Sequence, residues 1–235
     1  MPTVTVRHGS GGMPPAPSRS RTQRVWAVVS AVEATAAAVA VLFDLLVPSL
    51  CLLAMAALSL AVRRTGLGSL GLRRGRGTGL VVKMLLFAVA WSLFQLGVTM
   101  PLANHVSGKQ QDLSAFADLE GDVGRLVVLL VLGWVLGALA EELAYRGYLL
   151  TRLAEALGEG RFGRLAAVLA SSLLFGVAHS EQGLIGVLVV TLDALAWSVL
   201  RFRYRTLWAP ILAHGFNNTL GFVTFFLVGP VHGLW

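Results

Sequence analysis

The sequence predicts an all-α fold, a polytopic transmembrane helix bundle of about seven spans, on three observations. Hydrophobic residues make up 56% of the 235 positions and charged residues only 13%. Mean hydropathy is +0.73, a balance that suits lipid-facing helices rather than a water-soluble core. Apolar runs long enough to span a bilayer recur along the chain, and arginines cluster in the short segments between them. Those clusters supply most of the net charge of +7, so the basic balance reports membrane orientation and anionic headgroups rather than nucleic acid. Cys51 is the only cysteine, which excludes an internal disulfide and a thiolate metal cluster.

Residues 1–24 are rich in Gly, Pro, Ser and Arg and predict a disordered cytoplasmic tail that ends on Arg19, Arg21 and Arg24. The first span is predicted from Val25 to Leu46. It is long enough to be retained rather than cleaved as a signal peptide, because a second span follows at once. That second span, Val47 to Val62, begins at a turn marked by Pro48 and closes on Arg63 and Arg64. The loop after it carries Arg73, Arg74 and Arg76. It also contains the glycine-punctuated stretch Gly66 to Leu72, which reads equally as a surface-lying piece or as a plain connector. Together, residues 25–79 predict an N-terminal hairpin and basic loop.

The third span is predicted from Leu80 to Leu102, followed by a polar loop in which Asp112, Asp118, Glu120 and Asp122 face the single Lys109. The fourth apolar run, Val123 to Leu150, reaches Arg152. The fifth, Phe162 to Ala178, follows Arg161 and Arg164. The sixth, Leu184 to Leu200, ends in Arg201, Arg203 and Arg205, and the seventh runs from Leu207 to Val228. Placing every arginine-rich loop in the cytoplasm gives seven alternating crossings, with the N-terminus inside and the C-terminus and acidic loop outside. Residues 80–228 then form the membrane domain expected to carry chemistry.

Within these runs a few polar groups stand out. Glu141 and Glu142 follow a stretch, Leu126 to Ala140, that has no charge at all. An intramembrane carboxylate costs several kcal/mol unless it is paired or faces a cavity, which makes it a functional candidate by default. In a helix, Glu142 and Arg146 lie four apart on one face in the favourable order for an ion pair. Glu141 points about 100° away, so arginine can hold one glutamate while the other stays available. His179 follows Phe175 by one turn at the end of the fifth run, and His214 and Asn218 share a face of the seventh. Counted from the basic loops at ~1.5 Å per residue, Glu141 and His214 lie roughly 13 to 17 Å deep and His179 about 22 Å. A carboxylate, two imidazoles and an amide converging in a protein-lined cavity would suffice to activate water. The carboxylate takes the proton, a histidine positions the water or a metal, and the second histidine with the amide stabilises an oxyanion.

At these positions the chain resembles a family. Glu141-Glu142-x-x-x-Arg146, Phe175-x-x-x-His179 and His214-x-x-x-Asn218 are similar, in order and without substitution, to the three signature motifs of the CPBP intramembrane proteases, also called Abi or CAAX prenyl protease 2-like. The resemblance covers roughly residues 80 to 225, and Gly66 to Leu72 is similar to a segment often found just before this domain. It implies a membrane bundle with endopeptidase activity on a peptide or membrane-protein substrate. In that reading Glu141 is the general base, His179 holds the attacking water, and His214 and Asn218 stabilise the oxyanion; Glu142, Arg146 and Phe175 support them. It leaves two alternatives for cofactors: Zn2+ held by Glu141, His179 and His214, or no metal. The residue types by themselves also fit a proton-coupled transporter or a non-catalytic scaffold or immunity-type protein. On the bland reading, Glu142 and Arg146 are a structural pair, and His179, His214 and Asn218 are interhelical hydrogen-bonding residues. Phe175 is then core packing, and Asp193 is an acid with no role beyond a bundle contact.

Overall fold

The computed structural model describes residues 20–45, 47–73, 77–158 and 160–235. The expected tail through residue 19, and Arg74 and Arg76 of the basic loop, lie outside the described residues. Among the described residues the chain forms seven long helices, three short 3-10 turns and no strand. The long helices are α1 (Arg21–Leu42), α2 (Pro48–Arg63), α3 (Thr78–Ser107), α4 (Val123–Leu157), α5 (Arg161–Val177), α6 (Gly183–Tyr204) and α7 (Trp208–Val228). Each predicted span contains a helix; the first ends at Leu42, and its predicted end, Leu46, lies outside the described residues. Five of the helices, α1, α3, α4, α6 and α7, are long and apolar enough to cross a membrane. Helices α2 and α5 have 16 and 17 residues, close to the lower limit for a bilayer core.

The first boundary differs from the sequence expectation, because Arg21 to Arg24 are helical rather than tail. The Gln23 backbone N–H donates to the Ser20 hydroxyl, and the Ser20 N–H donates to the Gln23 side chain. This reciprocal capping box nucleates α1 one turn early. The second difference is in α3, which runs past Leu102 to Ser107 and widens to π-helical geometry over Gln95–Thr99. Pro101 has no N–H to donate, and its ring would collide with the carbonyl of Gly97 in a regular helix. Widening avoids the collision and leaves two carbonyls for other donors. Leu96 O accepts the Leu234 N–H at 3.0 Å and Gly97 O accepts the Trp235 indole N–H at 2.9 Å, so the C-terminal residues lie across α3 at this point.

The middle of α4, Gly133–Leu149, is also π-helical, a rare geometry that is frequent at functional sites. Its inner face is built of small residues: Gly133, Ala138, Ala140, Ala144 and Gly147 are buried, letting neighbouring helices approach. Gly176 of α5 plays the same part against α6, where a Cβ would overlap Thr191 and the Val187 carbonyl. One core cluster joins α1, α2, α4, α5 and α6 around Tyr145, Tyr148, Leu149 and Phe175. A second joins α3, α6 and α7 around Met84 and Trp197. The outer surface carries exposed Val28, Val32, Leu58, Leu86, Leu93, Leu173 and Val199 on successive helices, as expected where lipid rather than water is the solvent.

The Gly66 to Leu72 stretch is part of the fold rather than a plain connector. It forms a short 3-10 turn at Leu67–Leu70. Leu70 is buried, Arg201 donates to its carbonyl at 3.1 Å, and the Leu207 N–H donates to Gly71 O at 2.9 Å.

At the end of the bundle that holds Arg63 and Arg152, two acids and two arginines alternate. Arg63 meets Glu33 at 3.5 Å and Glu155 at 3.0 Å, while Arg152 meets the same two carboxylates at 3.0 and 2.8 Å. Ser30 donates to Glu155 at 2.6 Å and Ser59 to Glu33 at 2.9 Å. This network clamps α1 and α2 to the end of α4. Arg152→Ala should lower stability by about 2 to 3 kcal/mol, somewhat less than for a fully buried pair because Glu155 keeps some solvent. Thermal unfolding in detergent checks it, and a melting temperature equal to wild type would mean that Arg63 alone neutralises both acids.

Candidate active site

The π-helical stretch of α4 brings Glu142 and Arg146 into the centre of the bundle, 0% and 1% exposed. Their ion-pair contact is 3.1 Å. The same Glu142 Oε1 is 3.0 Å from His214 Nδ1 of α7. A carboxylate beside a guanidinium accepts, so Nδ1 carries the proton and donates, which leaves His214 Nε2 as the nitrogen available to reactants. The ring is held flat against Trp197 of α6 at 5.9 Å and 14°. Its orientation is therefore set by one hydrogen bond and one stacking contact.

Phe175 joins this group to the second histidine. Its ring lies 4.1 Å from the Arg146 guanidinium, 4.8 Å from the His179 ring and 6.1 Å from His214. Tyr145 packs edge-on against it at 4.9 Å. An arginine over an aromatic face gains a cation–π attraction that grows on desolvation. His179 stands just beyond the end of α5, and its Nδ1 is 2.9 Å from the Phe175 carbonyl. A carbonyl can only accept, so this Nδ1 also carries the proton and Nε2 is again the free position.

Both histidines, with Phe175 and Asn218, line a cavity of about 240 Å³ between α3, α5, α6 and α7. Gln111, Leu113 and Phe116 of the acidic loop and Val231 near the C-terminus also line it. Asn218 donates to the Gly133 carbonyl of α4 at 3.1 Å, which leaves its second N–H and its carbonyl for the cavity. Packing permits this because Gly133 and Gly137 face it: a Cβ at Gly137 would come within 2.9 Å of the Asn218 amide nitrogen.

Of the residues singled out from the sequence, Glu142, Arg146, Phe175, His179 and His214 meet in one continuous set of contacts, and Asn218 shares the cavity. Glu141 stands apart from them. It is half-buried, does not line the cavity, and among the described residues has neither hydrogen bond nor ion pair. The charged groups whose fields it feels are Arg146, Glu142 and Glu181. His214 therefore touches Glu142 rather than Glu141. Among the described residues no three His, Cys, Asp or Glu side chains stand close enough to share a metal ion. The set Glu141, His179 and His214 does not fit a zinc site in this arrangement.

Sequence reasoning missed a polar wall of the same cavity. Asp193 of α6 accepts from the Trp91 indole and the Gln95 amide, each at 2.6 Å, and Ser92 donates to Asn217 at 2.8 Å. The signal was present in part, since Asp193 and Gln95 are polar residues inside apolar runs.

Residues 123–220, from the start of α4 into α7, match the family model of type II CAAX prenyl endopeptidase, Rce1-like. This interval holds all three motifs, so the resemblance read from them is shown by an independent match. The chain is also 26% identical over 153 residues to YdiL of Bacillus subtilis (strain 168), a protein named as a candidate membrane peptidase. That match covers 63% of this chain and 58% of the relative, so the chain spans less than two thirds of the relative's length. No solved structure matches it.

Proposed function

We propose that this protein is an intramembrane endopeptidase that hydrolyses a peptide bond by glutamate-activated water, with no metal in the step. The observation that carries the reading is the cavity wall. It holds two histidines whose Nδ1 atoms are both engaged elsewhere, so both Nε2 atoms are free, and it lies beside a buried Glu142–Arg146 pair. Because Glu142 is held by both Arg146 and His214, Glu141 is the carboxylate left free to take a proton. In the proposed step Glu141 accepts a proton from water positioned by His179, and the water oxygen bonds to the peptide carbonyl carbon. The oxyanion is met by the free N–H of Asn218 and, when His214 is doubly protonated, by its Nε2–H. Collapse breaks the C–N bond, and the proton held on Glu141 passes to the leaving amine. The step requires Glu141, which does not line the cavity here, to turn toward it when substrate is bound, as catalytic contacts tighten in the complex.

The same reading puts all seven helices across the membrane, with the N-terminus cytoplasmic and the acidic loop and C-terminal residues on the outer face. Those last two elements border the cavity, so a peptide or membrane-protein substrate would reach it from the outer half of the bilayer. A proton-coupled transporter is the second reading, favoured by Asp193, His179 and His214 lining one cavity; it predicts pH-driven flux in liposomes and no peptide products.

The test is incubation of the detergent-purified protein with a quenched library of hydrophobic peptides, with and without a chelator. Cleavage that survives chelation is the expected result. Cleavage abolished by the chelator and restored by zinc would overturn the metal-free step, and a lack of products from the whole library would move the assignment to the transporter reading.

A further inference from the structure

Asp193 is the acid that the proposed hydrolysis does not use. It lies in a spanning helix, lines the cavity, and among the described residues has no ion pair. Both of its hydrogen bonds, from Trp91 and Gln95, end on Oδ1, so Oδ2 keeps its lone pairs. The donors are neutral and come from α3. Trp91 is itself packed against both Phe87 and Trp197, with ring centroids 6.0 and 6.3 Å away. Gln95 is buried at the start of the π-helical turn that Pro101 imposes. These contacts fix the carboxylate in place and supply no opposite charge. An acid so placed in a membrane protein faces a cavity or a partner and marks a substrate or ion pathway, and here the open side is the cavity.

We propose that Asp193, held by Trp91 and Gln95, is a subsite that receives a positively charged side chain, lysine or arginine, of the peptide bound in the cavity, and so sets substrate preference. A cation satisfies the open Oδ2 by charge and hydrogen bond together, which a neutral donor does only in part. The inference rests on the peptidase reading for its substrate class, but its test does not depend on turnover.

Two hydrophobic peptides, identical except for one lysine or one norleucine scanned along the sequence, are titrated against the Glu141→Gln protein by tryptophan fluorescence. They are then titrated against the Glu141→Gln, Asp193→Asn double variant. At the best position the lysine peptide should bind about tenfold more tightly than its norleucine twin, and Asp193→Asn should bring the ratio close to one. A ratio near one in the Asp193-containing protein at every position overturns the proposal, as does an unchanged ratio after Asp193→Asn. A general loss of packing would weaken both peptides alike and leave the ratio intact. Selective binding by the Glu141→Gln protein while the wild type cuts neither peptide would count against the peptidase reading alone, and equal binding while the wild type cuts both would count against this subsite alone.

Discussion

Glu141→Gln should reduce peptide cleavage by about 10²- to 10⁴-fold, the range for removing a positioned general base, while leaving the protein folded. The residue is half-buried and bonded to no other described residue, so the amide replaces the carboxylate without stranding a partner. The measurement is turnover of the best quenched peptide, alongside thermal unfolding and elution in detergent. Glutamine keeps the size and polarity of the side chain but cannot hold the water's proton, so the loss should fall on kcat more than on KM. If Glu141→Gln keeps wild-type turnover and Glu142→Gln abolishes it, the base is the other carboxylate and the role given to Glu141 is wrong.

Glu142→Ala should have the largest effect on stability, about 3 to 5 kcal/mol, because it leaves the Arg146 guanidinium buried without its counter-charge. Arg146 is 1% exposed, and Phe175, the ring beside it, is not an anion. His214 loses its Nδ1 acceptor at the same time, so activity should fall with the folded fraction and further still. Thermal unfolding in detergent is the direct check, and an unchanged melting temperature would mean that the pair contributes nothing. The double variant Glu142→Leu, Arg146→Leu should recover much of the lost stability but none of the lost turnover. Removing both charges cancels the desolvation cost, yet it leaves His214 unoriented.

Much of this site is legible in the residue order alone. Glu142 and Arg146 pair as their four-residue spacing requires, because a local ion pair on one helix needs only helical geometry. The three motifs each fall in a helix or directly at its end, for the same local reason. What lies between helices is not legible there. Spacing along α4 separates Glu141 from Glu142 but does not say which of them α7 approaches, and it is Glu142 that His214 meets. Phe175 reads as core packing from sequence, yet it touches Arg146, His179 and His214. Gln95 is inconspicuous in an apolar run, since its meaning depends on Asp193, 98 positions away.

The sequence by itself determined an all-helical membrane chain, the order of its helices and the types of side chain available for chemistry. The length and composition of the apolar runs and i, i+4 spacing are one-dimensional properties that helix geometry reads directly. Only the tertiary structure decided which polar groups share a cavity, which nitrogen of each histidine is free, and that Glu141 and Asp193 are left without an ion pair among the described residues. Those outcomes depend on how closely small residues such as Gly133, Gly137 and Gly176 let the helices approach, and on where Pro101 widens α3 and the π-helical stretch re-aims α4.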